Sequence, residues 1–101
     1  MEYSIIVTNE ANLMLEKHIK FLSKVSINAA INLKILIKES LIILKHFPRI
    51  GYKLKRHKKL PTYYRKLVIS KRYIIIYYIY KDIVYIQSIL DSRQNNKKYL
   101  F

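Results

Sequence analysis

The stretch RYIIIYYIYKDIVYIQSIL, Arg72–Leu90, limits the fold more than any other part of the chain. Apart from one Lys-Asp break it is almost unbroken apolar and aromatic sequence. The apolar run Tyr73–Tyr80 is too short for a membrane-spanning helix, which needs roughly 20 residues. Its β-branched and aromatic content instead predicts a strand. In that strand Tyr73, Ile75, Tyr77 and Ile79 point one way, and Ile74, Ile76, Tyr78 and Tyr80 the other. Apolar groups on both faces predict a central strand covered, at least partly, on both sides.

The flanking sequence supplies neighbours for it. Tyr63–Ser70 and Ile83–Leu90 read as strands to either side, with Ser70-Lys71 and Lys81-Asp82 as hairpin turns that lack the glycine of an ideal two-residue loop. Tyr3–Thr8 reads as a short N-terminal strand. Asn9 is a good helix N-cap, and Glu10 suits the positive end of the helix dipole. Ala11, Leu15, Leu22 and Val25 recur at helical spacing and predict a first helix over roughly residues 10–24, with His18 beside the stripe as a partly buried structural histidine. Ser26 can cap a second helix of about 20 residues ending before Pro48. The connection is so short that the helices should pack as an antiparallel hairpin. One face of the sheet is then left half-open, aromatic and cationic. Arg49–Pro61, which contains KLKRHKKLP, is basic and poorly periodic and reads as a loop. The expected architecture is α+β: strand, helix, helix and three strands, with the helical hairpin on one face of a mainly antiparallel four-stranded sheet. At 101 residues a single domain over 1–101 is expected.

Charge narrows the possible partners. The formal net charge is +14, and residues 40–81 contain twelve Lys or Arg and no acidic residue. That asymmetry points to a polyanion: nucleic acid, an acidic protein, or both. Lys53, Lys55, Arg56, Lys58, Lys59 and Arg72 are the candidate nucleic-acid contacts, against the plainer reading of a solvated loop. With no cysteine there is no thiolate metal site, disulfide framework or Cys nucleophile. The three histidines lack metal-ligand spacing, so no metal and no cofactor are expected. The N-terminus lacks a basic region followed by an apolar one, so a cytoplasmic protein is expected.

The order of elements, together with FPRIG at Phe47–Gly51, YRKLVISKRYIIIYYI at Tyr64–Ile79 and ILDSRQN at Ile89–Asn95, resembles the RelE/ParE superfamily of bacterial toxins. The resemblance covers nearly the whole chain. It implies the toxin half of a type II toxin–antitoxin module, with a cognate acidic antitoxin in a hetero-oligomeric complex and no membrane partner. RelE-like members cut mRNA in the ribosome; ParE-like members poison DNA gyrase and lack the ribonuclease residues. Cleavage by 2′-hydroxyl attack needs a base, an acid and cations for the developing phosphorane charge. By resemblance Arg65, Lys66 and Arg93 would hold phosphate, and Tyr99, six residues after Arg93, would stack or donate a proton. The plainer reading of Arg65 is an ion pair with Asp91 on a neighbouring strand. Where RelE-like members carry a middle-strand arginine, this chain has Tyr73 or Ile74, with Arg72 one residue away. The charge favours RNA and the missing arginine favours gyrase. A basic nucleic-acid-binding module without toxicity is the third reading.

Overall fold

The computed structural model describes residues 2–94. In it Thr8, rather than Asn9, opens the first helix. The Thr8 hydroxyl accepts the Ala11 N–H at 3.2 Å and donates to the Ile86 carbonyl at 2.8 Å. It therefore caps α1, Asn9–Val25, and ties the helix start to the sheet. Ser26 ends α1 and begins α2, Ile27–His46. Its N–H donates to the Leu22 carbonyl at 2.7 Å, and its hydroxyl accepts from Ala29 at 3.2 Å. With one residue serving both ends, the helices must fold back on each other.

The described residues form five strands: β1 Ser4–Val7, β2 Tyr52–Arg56, β3 Tyr63–Ile69, β4 Tyr73–Tyr80 and β5 Ile83–Asp91. They lie in the order β1-β5-β4-β3-β2, with β1 parallel to β5 and the other pairs antiparallel. The sheet thus has one strand more than the sequence predicts. Part of the basic segment read as a loop is the edge strand β2. Its lysines hid it, because exposed edge strands use charge, and here a bulge between Lys53 and Arg56, to discourage further pairing. β4 is central as expected. Both hairpin turns place non-glycine residues in the left-handed region: Ser70 and Lys71 at φ 50° and 62°, Lys81 and Asp82 at 47° and 60°. A positive-φ pair matches the twist of the flanking strands better than an ordinary turn does.

The helices pack chiefly on β5 and β1. Ala11, Leu22, Ala30, Leu33, Ile37 and Leu44 meet Ile69, Ile75, Tyr77, Val84, Ile86 and Ile89 in one core. Tyr77 is fully buried there. Its burial alone is worth about 2–3 kcal/mol. The Tyr77 hydroxyl accepts the Gly51 N–H at 2.8 Å, which pins the start of β2 to the core. An added Cβ at Gly51 would lie 2.5 Å from that hydroxyl and 2.7 Å from the Lys66 carbonyl, so no larger side chain fits this contact. Opposite Ile76 and Tyr77 the register of β5 shifts, leaving Gln87 as the extra residue of a bulge.

Candidate functional site

Strand pairing decides which charged groups can act together. Lys53, Arg65 and Tyr77 are cross-strand neighbours on the side of the sheet that carries the helices, because Tyr77 belongs to the core. Tyr52, Lys66 and Ile76 are neighbours on the opposite, open side. Arg65 and Lys66, adjacent in sequence, therefore point to opposite faces. Arg65 Nη1 donates to the carbonyls of Arg49 at 3.2 Å and Gly51 at 3.0 Å, holding the chain between α2 and β2 in place. It does not pair with Asp91.

Asp91 has other arginines. Arg93 reaches it through Nε at 3.3 Å, Nη2 at 3.1 Å and its backbone N–H at 2.9 Å. Arg72 Nε lies 3.8 Å from Asp91 Oδ2, with the guanidinium 5.4 Å from the Tyr73 ring centroid. Burial pushes the Asp91 carboxyl up, but the hydrogen bonds and charge of Arg93, aided by Arg72, outweigh it and hold the group below its ordinary value of 3.8. This cluster borders a groove of about 530 Å³ beside α1, where Met14, Lys17, His18 and Phe21 face Tyr73 and Arg93. His18 Nε2 lies 2.8 Å from the Ile89 carbonyl, and its ring meets Tyr73 edge-on at 5.4 Å, as expected of a structural histidine.

The open side is aromatic more than cationic. Tyr64, Tyr78 and Tyr85 are cross-strand neighbours, with ring centroids 5.7 Å and 5.0 Å apart in turn. His57 stacks on Tyr64 at 5.0 Å and meets Tyr78 at 4.7 Å. His57 Nδ1 accepts the N–H groups of Lys59 and Leu60, both at 3.1 Å, which shapes the turn holding Lys58 and Lys59. A carboxylate joins this side: Glu10 Oε2 accepts from Ser88 Oγ at 3.0 Å and from Gln87 Nε2 at 3.3 Å. Burial, then the charge of Glu10, raises the Tyr64 hydroxyl above its ordinary 10.0. Burial, with Tyr64 and Tyr85 beside it, does the same to Tyr78. The aromatic character expected of this face is found, and its charge is mixed, with the Glu10 carboxylate among the cations. Its described polar groups include Lys66, His57, Tyr52, Tyr64, Tyr78, Tyr85, Ser88 and the acid Glu10.

Of the described residues in the cleavage set that the resemblance implies, only Lys66 lies on the open side. Arg65 is on the helix side, and Arg93 is displaced from it by two strands and by about 13 Å or more along them. Tyr99 lies outside the described residues. Among the proposed nucleic-acid contacts, Lys53 and Arg56 are on the helix side over the Tyr63 ring, at 4.6 Å and 5.6 Å from its centroid. Lys55 lies between them on β2, and Arg72 belongs to the Asp91 cluster. A second concavity of about 390 Å³ lies where Arg49, Lys53, Tyr63, Arg65, Tyr80 and Lys81 converge. It was not foreseen from sequence, because it depends on the pairing of a strand that reads as a loop.

Among the described residues no helix is long and apolar enough to cross a membrane, and no three His, Cys, Asp or Glu side chains gather as a metal site requires. No curated protein matches the sequence significantly. A solved structure of the chromosomal ParDE toxin–antitoxin system from P. aeruginosa has a similar fold, with a TM-score of 0.68 and 18% identity over 89% of this chain and 96% of that one. The family model for the ParE toxin of the type II parDE toxin–antitoxin system matches residues 5–96. With nearly its whole length matched, in the element order found above, the chain belongs to the ParE toxin family of type II toxin–antitoxin systems.

Proposed function

We propose that this toxin arrests growth by binding and inhibiting DNA gyrase, without cutting RNA, and that a cognate acidic antitoxin neutralises it in a hetero-oligomeric, cytoplasmic complex. The observation that carries this reading is the scattering of the groups that RNA cleavage would require. A base, an acid and phosphate-binding cations must converge on one scissile bond. Arg65 instead holds two carbonyls on the helix side, Arg93 is bound to Asp91, and Lys66 stands on the other face. Inhibition by binding needs surface complementarity and no such convergence. The density of positive charge favours an acidic partner, for association rate as well as affinity. No cofactor enters this mechanism.

A ribonuclease reading has one observation in its favour. The row of His57, Tyr64, Tyr78 and Tyr85, beside Lys66 and Glu10, offers rings for base stacking next to a cation and a carboxylate. Two assays on the purified chain separate the readings. We expect inhibition of gyrase supercoiling with accumulation of cleaved DNA, and no cuts by primer extension on ribosome-bound mRNA. Codon-phased cuts with normal supercoiling would reverse the assignment. Unimpeded growth on induction of soluble, folded protein would point to the non-toxic nucleic-acid-binding module.

A further inference from the structure

We propose that the concavity on the helix side of β2 and β3 binds a nucleoside 5′-monophosphate, its phosphate held by Lys53 and Lys81 and its base laid against the ring of Tyr63. The helices pack chiefly on β5 and β1, so this end of the sheet is left as an open cup. Its volume of about 390 Å³ suits a ligand of mononucleotide size.

The chemistry of the walls selects the ligand. Lys53 and Arg56 both lie over the single ring of Tyr63, so two like charges are held no farther apart than their distances to it together allow. Lys81 sits 5.3 Å from the Tyr80 ring centroid, and the Arg49 guanidinium 6.0 Å from that of Tyr3, whose hydroxyl it also meets at 3.1 Å. A ring face attracts a cation but does not neutralise it. Asp82 is the one carboxylate among the described lining residues. The cup is therefore left with several uncompensated positive charges, which a dianionic phosphate monoester balances better than a singly charged group. Bare phosphate would leave the ring of Tyr63 and the side chain of Ile79 without a contact, whereas a base covers them and can stack on the Arg49 plane as well.

This inference is independent of the toxin's target: the gyrase assay can succeed while nucleotide binding fails, and the reverse. The test is calorimetric titration of the purified full chain with adenosine 5′-monophosphate, adenosine and inorganic phosphate. We expect saturable one-to-one binding of the nucleotide, at least tenfold tighter than either fragment. Lys53→Gln and Lys81→Gln should each weaken it by about tenfold, the loss of a charge-assisted hydrogen bond. Tyr63→Leu should weaken it by about tenfold, as loss of one base stack does. Lys58→Gln, in the neighbouring turn, should leave it unchanged. Circular dichroism and melting temperature check that each variant is folded, and the two lysine variants alter only exposed side chains. No saturable binding, equal binding of phosphate and nucleotide, or an equal loss in Lys58→Gln would overturn the proposal, as would tight binding of an acidic peptide with none of the nucleotide.

Discussion

The two arginine- and lysine-rich ends of the sheet solve the same electrostatic problem differently. At the end of β5, Arg72 and Arg93 share a carboxylate that is itself 9% exposed, and the cluster closes on itself. At the β2 end, Lys53, Arg56, Arg49 and Lys81 lie over tyrosine rings, and all but Arg56 line a cup. A cation with a carboxylate partner contributes to the fold. A cation whose partner is a ring keeps most of its charge for something outside the molecule. Net charge cannot distinguish these cases; strand register can.

Several substitutions would sharpen or break that contrast. The largest effect should come from Gly51→Ala, which drives a methyl group against the Tyr77 hydroxyl and the Lys66 carbonyl and loosens the start of β2. A loss of about 3 kcal/mol is expected in urea unfolding. Next, Asp91→Asn should lower stability by about 1.5 kcal/mol at neutral pH, the value for a charge-assisted pair discounted because the Arg93 side chain is 62% exposed. The sign of its pH dependence follows from the lowered carboxyl. The contribution is complete above the ordinary value of 3.8 and is lost as pH falls below it through the folded value. The gap between wild type and Asp91→Asn should therefore close in acid, and a gap that stays constant with pH would contradict the ion-pair role. At the other end, Lys53→Gln and Lys81→Gln should change stability by no more than about 0.5 kcal/mol. A loss as large as that of Asp91→Asn would erase the distinction between the two ends. Smallest is Lys71→Gly, which should raise stability by about 0.5 kcal/mol, because glycine relieves the left-handed backbone of that turn at some entropic cost. Comparing melting temperatures of the two proteins checks it.

Much of the fold was legible in the sequence because apolar periodicity records burial directly. The two-sided pattern of Tyr73–Tyr80 marked the central strand, and Ser26 between two apolar stripes marked the helical hairpin. β2 was not legible: Tyr52–Arg56 is an edge strand whose charged side chains face solvent, so it carries no apolar alternation. The site was harder to read for a related reason. Arg65 and Lys66 look like one basic patch in one dimension, and only strand pleating separates them. Arg93 stands out in the sequence by its place after the last strand, but its tie to Asp91 depends on the chain turning after β5. The Glu10–Ser88 contact spans 78 residues and depends on the position of the β5 bulge, for which the sequence has no marker.

The gyrase target proposed from the scattering of cations over two faces is most directly tested in the cell. Inducing the toxin alone and following incorporation of labelled thymidine and labelled methionine in parallel tests it. We expect DNA synthesis to stop first, with gyrase-linked breaks, while protein synthesis continues for some time. Immediate arrest of protein synthesis with cleaved mRNA, and intact DNA synthesis in the same interval, would contradict a toxin that works by binding gyrase.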